Sequence, residues 1–511
     1  MTESSRVTLI PSTPSGGGPT SRRKMPATPV ILAAGAILIT MYTVRYLADP
    51  ALPGNQTSLP LGWWGWFDQS MTLRSTRALV DGNFDPGEHY YPFGYALLGT
   101  LFYFAAPSHT FFLVDLLSLL GAFIGFVALA RRLGLAPLLS APVFGLSLLG
   151  NSLLFRQWIV PWSTTPVGGF MWMLLACCAS WLDGRRRPFV IGLLMAAVPA
   201  CRPSDALTVL PCLGALIWAD RRTRSGRWAD WLRLAAGAAL VTTPVVALHL
   251  AVHGFAANGY IASSSQVGFT LEDLGWKAYV LLLEPQLWFA DGQGLLQRMP
   301  WVALGLTGLV AAFVRGQKDR VLATVLLVHG VLYTSYVDLL PSGLWRFLHV
   351  HYFAWAVPGY GLMAALLIRD LARPGWPRRI AGASAVAAAV VFGLRVVPAP
   401  AAADQPAKAV DFAGPVPPFT DTYLDWSLAL QDARGVLRNM VDVRVLVYPS
   451  GIRVLALRRG LVGTVEWIPG RSPQGYEGTK PTSRWTMATR FTWPPRWLRT
   501  PPPSAIGIPS E

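Results

Sequence analysis

The sequence predicts an all-α polytopic membrane protein with a small, mostly β tail, and three observations carry that prediction. Of its 511 residues, 52% are hydrophobic and only 14% are charged. Soluble domains carry roughly 25% charged residues, so this chain lacks the polar surface that water requires. Apolar runs recur along it at up to the length of a bilayer-crossing helix. Between the runs, basic residues gather in short clusters that fall on alternate sides of the ladder. The net charge of +16 is dispersed through those clusters and is almost all arginine. That pattern suits anionic lipid headgroups and orientation in a membrane, and it excludes nucleic acid as the expected partner.

Residues 1–28 are rich in Ser, Pro and Gly and contain Arg22-Arg23-Lys24; they read as a disordered cytoplasmic tail ahead of an uncleaved first helix. The membrane domain, 29–397, holds apolar runs near 29–48, 110–130, 136–153, 166–182, 188–201, 205–219, 232–252, 301–314, 321–337, 349–368 and 380–397. About eleven transmembrane helices follow, several shorter than the roughly 20 residues of a straight span. The basic loops at Arg131-Arg132, Arg185 to Arg187, Arg221 to Arg233, Arg315 to Arg320 and Arg369 to Arg379 share a side with the N-terminal cluster, and the positive-inside rule makes that side cytoplasmic.

The opposite side receives the long loops 49–109, 151–165, 201–204, 253–300 and 338–348. Within the first, the apolar stretch 92–106 is about half a span long and reads as a juxtamembrane helix on the outer face. The tail 398–511 opens on a Pro/Ala linker. Its segment 443–468 alternates like short strands around a Pro-Ser-Gly turn, so 398–511 reads as a small extracytoplasmic domain with a Pro-rich disordered end. Cys177, Cys178, Cys201 and Cys212 lie in or beside apolar runs without metal-ligand spacing and read as packing residues.

The first outer loop reads 63-WWGWFDQSMTLRSTRALVDGNFDPGEHYYPFGY-95. Trp63, Trp64 and Trp66 suit a membrane interface, and Asp68 follows them. A hydroxyl is a poor nucleophile at neutral pH, and a carboxylate within hydrogen-bond reach can take its proton as a new C–O bond forms. The bland alternative for Asp68 is an N-cap on a helix over 69–81. Glu88-His89 joins two ligand types of a divalent metal site; hydrogen bonding within the loop is the competing use. Arg202, Arg346, Lys277 and Arg298 lie near the outer ends of apolar runs, where guanidinium forks or an ammonium can hold a phosphate. Snorkelling to headgroups is their alternative role. His349 and His351 stand beside Arg346 and can donate to sugar or phosphate.

The stretch from Asp68 to Tyr95 resembles the first outer loop of GT-C-type membrane glycosyltransferases. That superfamily takes sugars from polyprenyl-phosphate carriers and includes protein mannosyltransferases and aminoarabinose transferases. The family's aromatic-acid-acid-Tyr-small-Leu-Gly ladder is met here by Asp68, Gln69, Thr72, Thr76, Leu79 and Gly82, and its aromatic-Pro-Pro pair by Tyr91-Pro92. Gln69, Thr72 and the single Pro92 depart from the common pattern. The resemblance continues through 161-PWSTTPVGGFMWMLL-175, where Thr164-Thr165 replaces an acid, 198-VPACRPSDALTVLP-211, 292-GQGLLQRMPWVALGLTGL-309 and 345-WRFLHVHYFAWAVPGYGLMAAL-366.

It implies a GT-C-like fold in a bacterial inner membrane and an inverting sugar transfer from a polyprenyl-phosphate-linked donor. The acceptor would be an extracytoplasmic envelope glycan, lipid or protein. Asp68 is then the base, and Gln69, Tyr91, Thr165, His349 and His351 contact substrate. Arg202, Arg346, Lys277 and Arg298 serve the donor phosphate. The lipid-linked sugar is the only small molecule this requires, with a divalent metal at Glu88 and His89 as an optional addition. A polysaccharide polymerase or ligase, or a flippase for lipid-linked glycans, is the alternative. The flippase reading expects two related halves, and no internal repeat is visible.

Overall fold

The computed structural model describes residues 27–52, 55, 67–223, 228–267, 269, 271, 274–283, 294–336, 339 and 344–374, together with backbone strands in the tail. The N-terminal tail, Trp63, Trp64, Trp66 and the apolar run 380–397 lie outside the described residues. The other runs fall on helices, except that the run at 349–368 is divided.

In chain order the helices are α1 (Ala27–Leu47), α2 (Phe67–Val80), α3 (Phe93–Tyr103), α4 (Phe111–Arg132), α5 (Pro137–Leu149), α6 (Ser152–Arg156), α7 (Thr164–Leu182) and α8 (Pro188–Cys201). They continue as α9 (Ala206–Thr223), α10 (Trp228–His253), α11 (Gly259–Val267), α12 (Leu274–Leu282), α13 (Leu295–Arg298), α14 (Val302–Arg315), α15 (Gln317–Thr334) and α16 (Val357–Leu371). By length and composition, α1, α4, α7 and α10 can each cross a membrane. Helices α5, α8 and α14 are apolar but hold only 13, 14 and 14 residues, short of the roughly 20 of a straight span. The run expected at 349–368 is divided. A 3-10 helix occupies Arg346–Phe353, and α16 restarts with Pro358 in its first turn, where a missing N–H costs nothing.

Ion pairs gather the basic loops at one end of the helices. Arg132 and Lys318 both hold Asp183, at 2.7 and 2.5 Å. Arg186 bridges Asp220 and Asp230, each at 3.0 Å. Arg369 donates to the Leu133 carbonyl (2.6 Å), and Asp370, fully buried, accepts from Arg315 and Arg369. The clusters separated along the sequence therefore share one face. At the other end, Asp49 after α1 takes a two-pronged bond from Arg156, with N–O distances of 2.7 and 2.9 Å, and the Tyr46 hydroxyl meets His109 Nδ1 at 3.1 Å. This is the end that carries the long loops.

Helix α3 runs across helix ends. A side chain at Gly94 would meet the Ala200 backbone at the close of α8, and one at Gly99 would meet the Phe111 ring at the start of α4. Two glycines five residues apart on one helix thus approach two different helix termini. Thr76 of α2 donates to the Ala96 carbonyl at 3.2 Å, tying α2 to α3.

Close backbone approach seats α10, whose Leu232, Leu240, Val246 and Leu250 are exposed, as suits contact with lipid. A Cβ at Gly192 of α8 would lie 1.9 Å from the Leu234 carbonyl oxygen, and one at Gly237 of α10 would lie 2.0 Å from that of Phe189. Such paired small residues let membrane helices pack backbone to backbone. Gly237→Ala is expected to destabilise the protein by about 1–3 kcal/mol, read as a lowered thermal midpoint in detergent. Gly214→Ala, which faces open space, should leave the midpoint unchanged or raise it.

In the tail, β1 (Val410–Phe412), β2 (Tyr423–Gln431), β3 (Leu437–Tyr448), β4 (Gly451–Ala456), β5 (Gly463–Trp467) and β6 (Ser483–Met487) pair in the order β1-β4-β3-β2-β6-β5. Only β2 and β6 run parallel.

Candidate functional site

The site is built first on α2, whose Gln69, Thr72, Leu73, Ser75, Thr76 and Ala78 are buried while Arg74 and Arg77 are exposed. That spacing gives a helix one inward face made largely of small polar groups. It stops where Gly82 takes a left-handed conformation (φ 67°) and Asn83 N–H reaches the Ala78 carbonyl, a common glycine-terminated helix end. The helix starts at Phe67, one residue before Asp68. Asp68 therefore lies in the first turn instead of capping a helix over 69–81, and its charge there opposes the positive helix end.

Asp68 is half-buried, and the Tyr91 hydroxyl donates to its Oδ1. Its main-chain carbonyl accepts from Thr72 Oγ1 at 2.9 Å. Tyr91 is packed by the Tyr90 ring at 5.0 Å and by the Tyr260 ring from α11 at 5.3 Å. The Tyr260 N–H donates to the Tyr90 carbonyl at 3.0 Å, fastening the later outer loop onto this segment. Gln69 is 1% exposed, and its amide nitrogen has no hydrogen-bond partner among the described residues.

Glu88 and His89 have other uses than a metal. Glu88 pairs with Arg74, whose hydrogen bond holds the Glu88 carboxyl below its ordinary range. His89 is buried, with Nε2 2.9 Å from the Asn83 carbonyl and Nδ1 2.8 Å from Ser75 Oγ. A carbonyl only accepts, so Nε2 carries the proton and Nδ1 accepts from Ser75. Both ring nitrogens are engaged in hydrogen bonds, the competing use of the Glu88–His89 pair. Among the described residues no group of three or more His, Cys, Asp or Glu is arranged to hold a metal.

The second half forms around Arg202, which ends α8 and is 6% exposed. Its guanidinium carbon lies 4.8 Å from the Tyr333 ring and 4.5 Å from the Tyr352 ring, and Nε is 3.5 Å from Asp205 Oδ2. Burial opposes its charge, but Tyr333 and Asp205 more than compensate, so Arg202 is held protonated beyond its already high range. Tyr333 is fixed by Ser204 at 3.1 Å, and Tyr352 stacks on Tyr333 with ring centres 5.2 Å apart. His351 stacks face to face on Trp162 at 4.0 Å and touches Tyr352 at 4.0 Å; His349 lies 5.9 Å from Tyr352. Gly94, three residues after Tyr91, packs on the Ala200–Cys201 backbone that leads directly into Arg202, which brings the segment of the Asp68–Tyr91 pair next to that of the Arg202 cradle.

The remaining predicted residues are spread around it. Thr165 is buried at the start of α7 and donates to the Gln157 carbonyl at 3.2 Å. Lys277 is buried on α12. Arg298, on α13, lies over the Trp345 ring at 4.5 Å, and burial lowers its pKa. Arg346 opens the 3-10 helix, and its side chain is outside the described set. Sequence reasoning missed Trp162, Asp205, Tyr260, Tyr333 and Tyr352. A signal existed for two of them: Asp205 stands three residues after Arg202, one turn on, and Tyr352 directly follows His351.

No protein-family model and no curated protein matches the chain. Among solved structures it is similar to the ArnT of Cupriavidus metallidurans, crystallised bound to undecaprenyl phosphate and in the apo state. Each comparison gives 16% identity and a TM-score of 0.44, covering 71% of this chain. The chain spans 64% of the length of those solved chains.

Proposed function

We propose that this chain is an integral membrane glycosyltransferase that takes a sugar from a polyprenyl-phosphate-linked donor and passes it to an extracytoplasmic acceptor. One arrangement supports the reading: a half-buried carboxylate, Asp68, bonded to Tyr91, and a buried guanidinium, Arg202, set against the Tyr333 and Tyr352 rings, lie on segments that meet where Gly94 packs on the Ala200–Cys201 backbone. Sugar transfer from a lipid phosphate needs both. Asp68 takes the proton of the acceptor hydroxyl as its oxygen attacks the anomeric carbon, inverting that centre. The bond from that carbon to the phosphate oxygen breaks, and Arg202 opposes the charge gained by the departing polyprenyl phosphate.

The protein would sit in a bacterial inner membrane, with the N-terminus cytoplasmic and residues 398–511 forming an extracytoplasmic domain. Gln69, Thr165, His349 and His351 would contact the sugar or acceptor, and Arg346, Lys277 and Arg298 would supply further charge toward donor phosphate or lipid headgroups. The acceptor would be a glycan, lipid or protein of the envelope. The carrier lipid brings the activated sugar, so the reaction requires no further cofactor.

The test is transfer of radiolabelled sugar in membranes with and without the protein, supplied with lipid-linked donor or with nucleotide sugar alone after the carrier pool is depleted. Label reaching an envelope component from the lipid-linked donor, and lost with the protein, is the expected result. Label that crosses the membrane without forming a new glycosidic bond would indicate a flippase instead.

A further inference from the structure

We propose that Tyr91 is a positioning residue for the base: its phenol orients the Asp68 carboxylate and holds it ionised, instead of contacting substrate. The inference rests on Asp68 being the general base. Its geometric ground is the direct bond from the Tyr91 hydroxyl to Asp68 Oδ1. A hydrogen bond donated to a carboxylate favours the charged form.

The phenol is held from three directions. The Tyr90 and Tyr260 rings pack on it, and the Tyr260 main chain is bonded to that of Tyr90. Pro92 follows directly and locks its own φ. One turn further on, the Tyr95 hydroxyl donates to both oxygens of the buried Asp115 at 2.9 Å. Two tyrosines four residues apart thus bind carboxylates from two different helices, α2 and α4, and the Tyr95 bond fixes the start of α3 from which Tyr91 reaches back. Burial and the Asp68 charge hold the Tyr91 phenol well above its ordinary range. It therefore remains a donor throughout the working pH range.

Among the described residues, the titratable and charged groups around this pair include Tyr90, Tyr260 from α11, Tyr352 from the 3-10 helix and, further off, Arg202 with Asp205. Asp205 is the other carboxyl of the site, so its own contribution is removed by measuring in an Asp205→Asn background as well.

The experiment is the pH profile of kcat/KM and kcat in proteoliposomes supplied with polyprenyl-phosphate-linked sugar extracted from the source membranes. Tyr91→Phe is expected to move the acid limb up by about one pH unit in both backgrounds. Tyr91→3-fluorotyrosine, a stronger donor, should move the limb down. An unmoved limb with a raised KM would make Tyr91 a substrate contact and overturn the proposal. So would equal loss at every pH with a lowered thermal midpoint, which marks packing alone. The Asp68→Asn protein separates the two ideas. If it keeps turnover, the base assignment and this inference fall together; if it is dead while Tyr91→Phe leaves the limb in place, this inference falls alone.

Discussion

Asp68→Asn is expected to lower sugar transfer by about a hundred- to ten-thousand-fold while expression and membrane insertion stay at the level of the unsubstituted protein. The expectation comes from how little else the substitution changes. Asparagine has the shape of aspartate, and its amide oxygen can still accept the Tyr91 hydroxyl that now reaches Asp68 Oδ1. The main-chain carbonyl that accepts from Thr72 is untouched. What is lost is the basic lone pair that takes the acceptor proton, together with a negative charge in the first turn of α2 whose loss costs about 0.3–1 kcal/mol. A purely structural Asp68 predicts turnover near normal with that same small loss of stability. The measurement is single-turnover transfer from the lipid-linked donor, since product release could conceal the chemical step in steady state. An acceptor bearing a more acidic hydroxyl should recover part of the lost rate, because it needs less help from a base.

The helices and the face that joins them were legible in the sequence, and the site was legible only in part. Apolar runs between arginine clusters mark helices because lipid and headgroup impose the same pattern on every crossing. The pairing of Arg132, Asp183 and Lys318, three segments far apart in sequence, follows from that ladder. Asp68 and Arg202 stood out because a charge close to apolar residues is costly and so draws notice. The aromatic residues around them had no such signal. Tyr260 and Tyr333 come from α11 and α15, and in a chain with 12% aromatic residues no spacing separates them from packing residues. They become part of the site only when α11 docks on Tyr90 and Ser204 fixes the Tyr333 hydroxyl. Glu88 and His89 show the converse. Adjacent ligand types looked like a metal site, but Arg74, Ser75 and Asn83 reach them across one helix and one turn. That local competition is invisible to a reading by residue type.

Arg202 is where a charge change should separate donor from acceptor. Arg202→Lys keeps the positive charge but loses the planar fork and its contact with the Tyr333 and Tyr352 rings. It is expected to lower kcat/KM for the lipid-linked donor by about a hundredfold, the scale of removing one well-placed transition-state donor, with KM for the acceptor little changed. Arg202→Met alone is a poor test. Asp205 is 1% exposed, and stranding its charge would cost about 3–5 kcal/mol of stability, enough to mimic a catalytic defect. The double variant Arg202→Met/Asp205→Asn removes both charges and should regain the thermal midpoint. If Arg202 neutralises the departing phosphate, the folded double variant stays inactive. If Arg202 serves only to balance Asp205 between α8 and α9, activity returns with stability, and the phosphate role passes to the other basic residues of the outer loops.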